Sequence, residues 1–353
     1  MERKLKHYFN IGLNSQALQH KISLNSLKMI NSAHSNANQV MKVVYIGTHN
    51  HPILEALISS THEIKGIAES TLTKKKSLLE SSIFNAYDLV QTIKGKSVKQ
   101  LAFQAKKQKL PYLMFLKNEQ QVLADWLSTL KPDIIVVHGM YHLLKKEVFS
   151  IPKYGAINYH PALLPNYPGP SPDFWIYYNM DLTPGGTVHK INNGEDAGEI
   201  ICAQSFQLEL GTTHHEYKTK YCDLGAELVL EALKNIETDS VQLKKQNHLP
   251  NLTRARRIKK EEHQNFIDWQ TWPVERVFHF LRGTIDYINS IPLPENVSRV
   301  NSWNVISFSK ELSQNEPGTL KKNGKHYLLF CKDGVIIMDL KKTLSQVIKT
   351  LFI

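Results

Sequence analysis

The chain has 353 residues, of which 42% are hydrophobic, and it carries a formal net charge of +11. This length suits two domains or one large domain with an appendage, and the hydrophobic content suffices for ordinary cores. The sequence contains no run of about twenty apolar residues, which argues against a membrane-spanning helix. The positive charge favours polyanionic partners such as RNA, nucleotides or phosphorylated substrates.

Residues 1–40 are polar, and Glu2 is their only acidic residue. They lack the continuous apolar segment of a secretory signal. We therefore predict a poorly ordered N-terminal extension, or translation that starts at Met41. The alternative is an organellar targeting segment, because the basic residues in this stretch suit one.

Strands alternate with helices in the next hundred residues. The strands are predicted at 42–47, 63–68, 112–114 and 134–137, and the helices at 53–58, 98–107 and 119–130. Residues 70–95 are interpreted as an inserted loop with some helix. The alternation predicts an α/β fold with a doubly wound, mostly parallel sheet, which binds ligands at the carboxyl ends of its strands.

The second half of the chain changes character. It begins with a proline-rich stretch, and short strands separated by turns follow near the C-terminus, a pattern typical of a small, OB-like β-barrel. The elements are a strand at 187–191, helices at 216–233 and 275–282, a charged connector at 235–257, and strands at 303–308, 326–330 and 334–337. The predicted domains are an N-terminal extension (1–40), a catalytic domain (41–235), a linker (236–260) and a C-terminal β-barrel-like domain (261–353).

Cys202, Cys222 and Cys331 are widely spaced and contain no CxxC pair. They are expected to be reduced thiols, which indicates a cytoplasmic protein rather than a secreted one. The histidines lack metal-ligand spacing, and we predict no metal site.

One motif carries chemistry. Side chains of a strand alternate between faces, so Asn158 and His160 point the same way, and Pro161 places them near the strand's end. An amide and an imidazole side by side are suited to stabilise an oxyanion. Asp196, on a loop between glycines, is a carboxylate that orients the imidazole or collects its proton.

These residues resemble the folate-dependent formyltransferase family. The pattern comprises Asn158-Tyr159-His160, then Leu163-Leu164-Pro165, then the Asp196 loop, preceded by Gly139–Leu144 at the place of the family's folate pocket. The resemblance covers residues 41–235 clearly and the C-terminal stretch loosely. It implies transfer of a formyl group from the co-substrate 10-formyltetrahydrofolate to a primary amine.

The resemblance also assigns roles. Asn158 and protonated His160 would donate hydrogen bonds to the formyl oxygen, and Asp196 would control the protonation of His160 and assist removal of the amine's proton. The residues predicted to bind the folate are Met140, Tyr141, His142, Leu143, Leu144, Ala162, Leu163, Leu164, Pro165, Gly194 and Glu195. His189 is expected only to occupy the surface of a strand.

Two departures leave the acceptor open. Ala162 replaces a serine that many relatives have, and Pro168-Gly169 stands where several relatives have Arg-Gly. Three interpretations remain: an enzyme acting on a small amine such as a nucleotide-linked amino sugar, which we favour narrowly, a methionyl-tRNA formyltransferase, and a non-catalytic folate- or RNA-binding relative. The sequence does not predict an oligomeric state.

Overall fold

The computed structural model describes residues 40–72, 100–247, 252–291 and 303–340. The predicted N-terminal extension and the predicted insertion at 70–95 lie outside these residues, apart from Val40 and residues 70–72.

The described residues of the first part of the fold form seven strands and six helices. The strands are β1 (Lys42–Gly47), β2 (Glu63–Ser70), β3 (Tyr112–Phe115), β4 (Ile134–His138), β5 (Ala156–His160), β6 (Gly185–Lys190) and β7 (Ile200–Ser205). The helices are α1 (Pro52–Ser59), α2 (Leu101–Gln108), α3 (Gln120–Leu130), α4 (Lys146–Phe149), α5 (Pro172–Tyr178) and α6 (His214–Glu237). In the parts of the chain that the structure describes, no helix is both long and apolar enough to cross a membrane.

The strands form a single sheet in the order β3-β2-β1-β4-β5-β6-β7. The pairs from β3 to β5 are parallel, whereas β6 and β7 join antiparallel at one edge. The prediction of a doubly wound, mostly parallel sheet is confirmed. The chain crosses from β1 outwards to β3 and returns through β4, so β1 and β4 are the central neighbours at which a doubly wound sheet opens a ligand crevice.

Both faces of the sheet are buried. Val43 and Tyr45 of β1 pack towards α1 and α6, and Val44 and Ile46 pack on the opposite face with residues of α3. Continuous apolar strands such as β4, whose five residues are all buried, are the signature of a sheet covered on two sides. Each such side chain stabilises the fold by roughly 1.5–3 kcal/mol, so the strand ends that carry the polar residues are held on a rigid base.

Tyr159 fixes the orientation of β5. Its ring is enclosed by Gly186 of β6 and Gly225 of α6, where an added Cβ would lie 2.5 Å from the ring on either side. Its hydroxyl donates to the Tyr221 carbonyl over 2.6 Å. Because successive strand residues face opposite ways, locking Tyr159 on the α6 side directs Asn158 and His160 to the other face.

A second sheet follows. Its strands are β8 (Trp303–Ser309), β9 (Leu320–Asn323), β10 (His326–Cys331) and β11 (Gly334–Leu340), antiparallel in the order β8-β11-β10-β9. The predicted C-terminal strands are confirmed, and β9 is an addition. A 3-10 helix (Lys260–Asn265) and α7 (Val274–Thr284) precede the sheet.

The C-terminal elements share one hydrophobic cluster with α5 and α6. Phe174 of α5 lies 4.7 Å from the ring of Phe266 and 5.7 Å from that of Phe280. Gly283 of α7 lies against the Tyr177 ring, where a Cβ would be only 2.1 Å away. The packing therefore ties α5, which follows the proline-rich stretch, to the C-terminal part.

Candidate active site

A cleft of about 1090 Å³ opens at the carboxyl ends of β4 and β5. Ten residues predicted to be functional line it: Met140, Tyr141, His142, Leu143, Leu144, Asn158, His160, Gly194, Glu195 and Asp196. The location is the one that a doubly wound sheet provides for ligands. The structure thus brings residues far apart in the sequence to one place.

Asn158 and His189 face each other across the antiparallel β5–β6 pair. His189 Nδ1 lies 2.9 Å from the Lys190 carbonyl, which can only accept, so Nδ1 carries the proton and Nε2 is an acceptor in the neutral ring. Asn158 Nδ2 donates to that Nε2 over 3.1 Å, and its second N–H points to Asp196 Oδ1 at the longer distance of 3.4 Å. The amide nitrogen is thereby held between an imidazole and a carboxylate.

His160 is buried at the end of β5. Its Nε2 donates to the Tyr167 carbonyl over 2.8 Å, and its Nδ1 lies 3.5 Å from Asp196 Oδ2. Burial lowers the pKa of His160, although the Asp196 carboxylate and the Tyr167 carbonyl act in the opposite direction. Burial therefore favours the neutral imidazole, whereas the sequence predicted the protonated form, and Nδ1 faces the carboxylate.

Asp196 has a left-handed backbone conformation, with φ 48°. The Gly169 N–H donates to its Oδ2 over 2.8 Å, and Oδ1 lies 3.5 Å from His189 Nε2. Burial alone would raise the pKa of Asp196, but the positive charge that His160 and His189 carry when protonated and the Gly169 N–H hold that pKa well below its usual range. The carboxylate is consequently ionised at neutral pH.

The segment after β4 forms one wall of the cleft. The side chains of Tyr141 and Leu143 are exposed there, 44% and 59% respectively, while Leu144 is buried beneath them. The Tyr141 N–H donates to Ser70 Oγ over 3.3 Å, and His142 Nε2 donates to the Thr71 carbonyl over 3.0 Å. These bonds tie the segment to the end of β2 and leave apolar surface facing the cleft.

Four residues predicted to bind folate lie outside the cleft: Ala162, Leu163, Leu164 and Pro165. Ala162 is fully buried in the core. The Thr187 hydroxyl donates to the Ala162 carbonyl over 2.7 Å and accepts from the Leu164 N–H over 3.0 Å. Because the chain turns away from the cleft after Pro161, we interpret these side chains as support for the turn that follows His160.

The opposite wall of the cleft is basic. Arg254 forms a two-pronged ion pair with Glu195, with distances of 2.8 and 2.9 Å. Arg257 and Lys260 also line the cleft, are exposed, and have no acidic partner among the described residues. A bidentate arginine–carboxylate pair fixes Glu195 in place, whereas the two other cations are available to an anionic ligand.

Sequence reasoning missed several of these residues. His189 was expected only to occupy a strand surface, yet it contacts Asn158 and Asp196. Its alternation with Thr187 was visible, but its partner depends on the register of β6 against β5. Arg254 and Gln246, which contact the Asp196 loop, lie in the predicted linker, and no local signal indicates contacts across 59 and 50 residues.

Comparison with a family model adds an independent line of evidence. Residues 41–233 match the model described as formyl transferase. Among similar curated proteins, the methionyl-tRNA formyltransferases of Clostridioides difficile and Kosmotoga olearia are 31% and 32% identical over 215 and 216 residues. These matches cover 59% and 60% of this chain and 63% and 66% of the relatives' own length.

Solved structures match the fold. A sugar 3-N-formyl transferase, WlaRD, determined in the presence of dTDP and 5-N-formyl-THF, superposes with a TM-score of 0.59 at 17% identity, covering 87% of this chain and all of that one. An N-formyltransferase from Helicobacter canadensis gives the same TM-score and identity, with 86% and 100% covered. At this identity the likeness shows the fold alone.

Proposed function

The chain belongs to the formyl transferase family, and from this premise we propose that it transfers a formyl group from 10-formyltetrahydrofolate to a primary amine. The observation that carries the proposal is the convergence of Asn158, His160 and Asp196, with contacts of 3.4 and 3.5 Å, at one end of the cleft. A neutral imidazole, an ionised carboxylate and an amide donor are the groups that acyl transfer to an amine requires.

The wall formed by Met140–Leu144 fits a folate. Flat aromatic ligands are held by apolar contact and a few backbone hydrogen bonds, and Tyr141 and Leu143 present exposed apolar surface on the cleft. When bound there, the co-substrate supplies an activated formyl group. We assign Met140–Leu144, Gly194 and Glu195 to its binding, and we assign Ala162–Pro165 to support of the turn after His160.

We assign Asn158 to the formyl oxygen. Of its two amide N–H groups, the one directed to Asp196 makes the longer contact, 3.4 Å, and is the one that can turn to an oxygen on which negative charge develops. His189 holds the other N–H over 3.1 Å and so keeps the amide plane in position. Removing one such donor typically lowers kcat by about 10²–10³-fold.

In this proposal His160 accepts the proton that the attacking amine loses, and Asp196 stabilises the protonated imidazole. As the amine nitrogen bonds to the formyl carbon, the neutral His160 accepts the amine's proton at Nδ1, directly or through a water molecule. The imidazolium so formed keeps its Nε2–H bond to the Tyr167 carbonyl and gains the Asp196 carboxylate 3.5 Å from Nδ1. The ionised carboxylate therefore stabilises the charge that proton transfer creates. A proton then passes back to N10 of tetrahydrofolate as the bond between N10 and the formyl carbon breaks.

The acceptor that we propose is a small primary amine bearing an anionic group, such as a nucleotide-linked amino sugar. The loop with Pro168 and Gly169, which faces Asp196, has no cation, and the Ala255 backbone covers it. The available positive charge instead lies at Arg257 and Lys260 on the cleft wall. This arrangement supports an acceptor whose anionic group binds within the cleft.

A second candidate acceptor is methionyl-tRNA. The proteins at 31% and 32% identity carry this activity in their names, and the net charge of +11 suits a polyanion. Phosphate contacts by basic residues outside the cleft would then contribute much of the affinity.

The test is a panel of acceptors supplied with 10-formyltetrahydrofolate. It contains 3- and 4-amino sugar nucleotides, the same sugars without the nucleotide, and charged Met-tRNA. We expect formylation of the nucleotide-linked amines, with a weak dependence on salt. Formylation of Met-tRNA alone, with an affinity that falls steeply as salt rises, would assign the second candidate, and no formylation of any amine would refute the proposed reaction.

A further inference from the structure

The connector between the two sheets makes three separate contacts with the loops around Asp196. Here the connector means the described residues 244–247 and 252–257, which the sequence indicated as a linker. Its first part is anchored beside β7, where Lys244 and Ile200 exchange backbone hydrogen bonds of 2.8 and 2.9 Å. This pairing gives the connector a fixed register against the main sheet.

Gln246 makes the most direct of the three contacts. Its Nε2 donates to the carbonyls of Asp196 and Gly198, both over 2.7 Å. Asp196 is in the left-handed region, which is uncommon for residues with a side chain although aspartate adopts it more readily than most. A single side chain thus holds the backbone on both sides of Ala197.

The other two contacts come from Arg254 and Ala255. Arg254 grips Glu195, the residue before Asp196, with two hydrogen bonds. The Ala255 N–H donates to the Pro168 carbonyl over 2.7 Å, and its carbonyl accepts from the Ser171 N–H over 3.0 Å. This backbone pairing sets the position of the loop between those two residues.

The loop held by Ala255 also reaches Asp196. Its Gly169 has φ 118° and donates its N–H to the Asp196 carboxylate, and an added Cβ would lie 2.9 Å from the Ala255 carbonyl oxygen. Only glycine allows the two backbones to approach this closely. The connector consequently constrains Asp196 at three places. Gln246 holds its backbone, Arg254 holds the preceding residue Glu195, and Ala255 holds the loop whose Gly169 N–H binds the Asp196 carboxylate.

We propose that the connector is a positioning element of the active site, and that Gln246 is the residue that holds the Asp196 loop against His160. Gln246 does not line the cleft, so it acts through Asp196 and not by touching substrate. Displacement of a catalytic group by about 1 Å can lower a rate by about 10²-fold. The expected loss of activity rests on the proposed function, whereas the expected displacement of the Asp196 loop does not.

The test compares Gln246→Leu with Gln242→Leu in the full-length protein. Both changes replace a glutamine by an apolar residue of similar size, but Gln242 is exposed and makes no side-chain hydrogen bond with the described residues. We expect Gln246→Leu to lower kcat by about tenfold or more, with KM for 10-formyltetrahydrofolate within about twofold. Gln242→Leu should match the unmodified protein.

A titration of His160 by NMR gives a second readout that requires no substrate. The charged or titratable groups that face His160 are His138, His189, Glu195 and Asp196. Among them, the Asp196 carboxylate acts to raise the pKa of His160. Loosening the Asp196 loop should therefore lower the pKa of His160 in Gln246→Leu and leave it unchanged in Gln242→Leu.

The two readouts separate the possible failures. If no amine is formylated, the proposed reaction is wrong, and the NMR titration still decides whether Gln246 positions Asp196. If Gln246→Leu lowers only the melting temperature, while kcat and the pKa of His160 match those of Gln242→Leu, the connector is merely structural and the inference is overturned.

Arg254 provides an independent check. If Arg254 acts only through Glu195, the double variant Arg254→Ala/Glu195→Ala should lose no more kcat than Glu195→Ala alone. Arg254→Lys, which keeps the charge but not the two-pronged geometry, should recover only part of the loss. Additive losses in the double variant would show that Arg254 contributes independently of Glu195 and would remove it from the positioning element.

Discussion

The floor and the roof of the cleft are built in opposite ways. The floor consists of Asn158, His160 and His189, which project from two paired strands, are buried or nearly so, and bond to one another or to backbone. The roof is the basic wall of the cleft and consists of Arg257 and Lys260, which are exposed and follow His160 by 97 and 100 residues. If the proposed function holds, we expect the sheet to position the reacting groups and the later segment to bind the acceptor.

The largest effect is expected on the floor, from His160→Ala. Loss of a general base typically lowers a rate by about 10²–10⁴-fold, and we expect kcat for formyl transfer to fall by about 10³-fold, because no other neutral imidazole reaches the same position. Binding of the folate, measured by calorimetry, should be retained. Near-full turnover of a correctly folded variant would contradict the assigned role.

Asp196→Asn should have the next largest effect. Asparagine tolerates the left-handed backbone of this position and preserves shape, but it removes the negative charge that stabilises an imidazolium on His160. We expect kcat to fall by about 10²-fold, which corresponds to about 2.7 kcal/mol. The measurement is steady-state kinetics across pH, and an unchanged kcat would show that the carboxylate has no electrostatic role.

Two buried histidines, His138 at the cleft and His279 in α7, should make the fold sensitive to acid. Burial lowers the pKa of His138 and of His279 from 6.5 to about 4. Between pH 6.5 and pH 4 these two histidines bind protons in the unfolded chain but not in the folded protein. The free energy of unfolding is therefore highest above pH 6.5 and falls as the pH drops towards 4. At pH 5 each histidine should cost on the order of 2 kcal/mol.

Denaturant unfolding at pH 7.5 and pH 5 checks this expectation. In His279→Gln, the decrease in unfolding free energy from pH 7.5 to pH 5 should be smaller than in the unmodified protein by the contribution of His279. An equal loss in the variant and in the unmodified protein would contradict the assignment to His279.

His189→Ala tests whether the floor includes a fourth residue. The change removes the acceptor that holds the Asn158 amide at 3.1 Å, so the amide can rotate away from the formyl oxygen. We expect a loss of about tenfold in kcat, smaller than for a group that touches the reacting atoms. His189→Gln should recover part of this loss if the hydrogen bond is what matters.

The smallest effect is expected on the roof. Arg257→Ala should raise KM for an anionic acceptor about three- to tenfold and leave kcat nearly unchanged, because an exposed cation contributes about 0.2–1 kcal/mol or slightly more to an ion pair. Lys245→Ala, an exposed connector lysine that does not line the cleft, is the matched control. A change in kcat as large as that of the floor variants would erase the distinction between floor and roof.

The sequence predicted the floor better than the roof for physical reasons. Alternation along β5 and the proline after it are local properties, so they revealed the side on which Asn158 and His160 point. We also predicted that Ala162–Pro165 bind the folate, but these residues do not line the cleft. The alternation of side chains ends where the chain turns, so it gives no guide beyond Pro161. His189 depended on strand register, and Gln246 and Arg254 depended on contacts that exist only once the chain is folded.

The aromatic cluster beneath α5 has a consequence for how the molecule melts. Phe174 packs on Phe266 and Phe280, while the first turn of the same helix borders the cleft. Thermal unfolding of the C-terminal sheet should therefore disrupt the cleft in the same transition. A ligand bound between floor and roof should raise the temperature of one common calorimetric transition. The melting of the C-terminal sheet should therefore shift when the cleft is occupied.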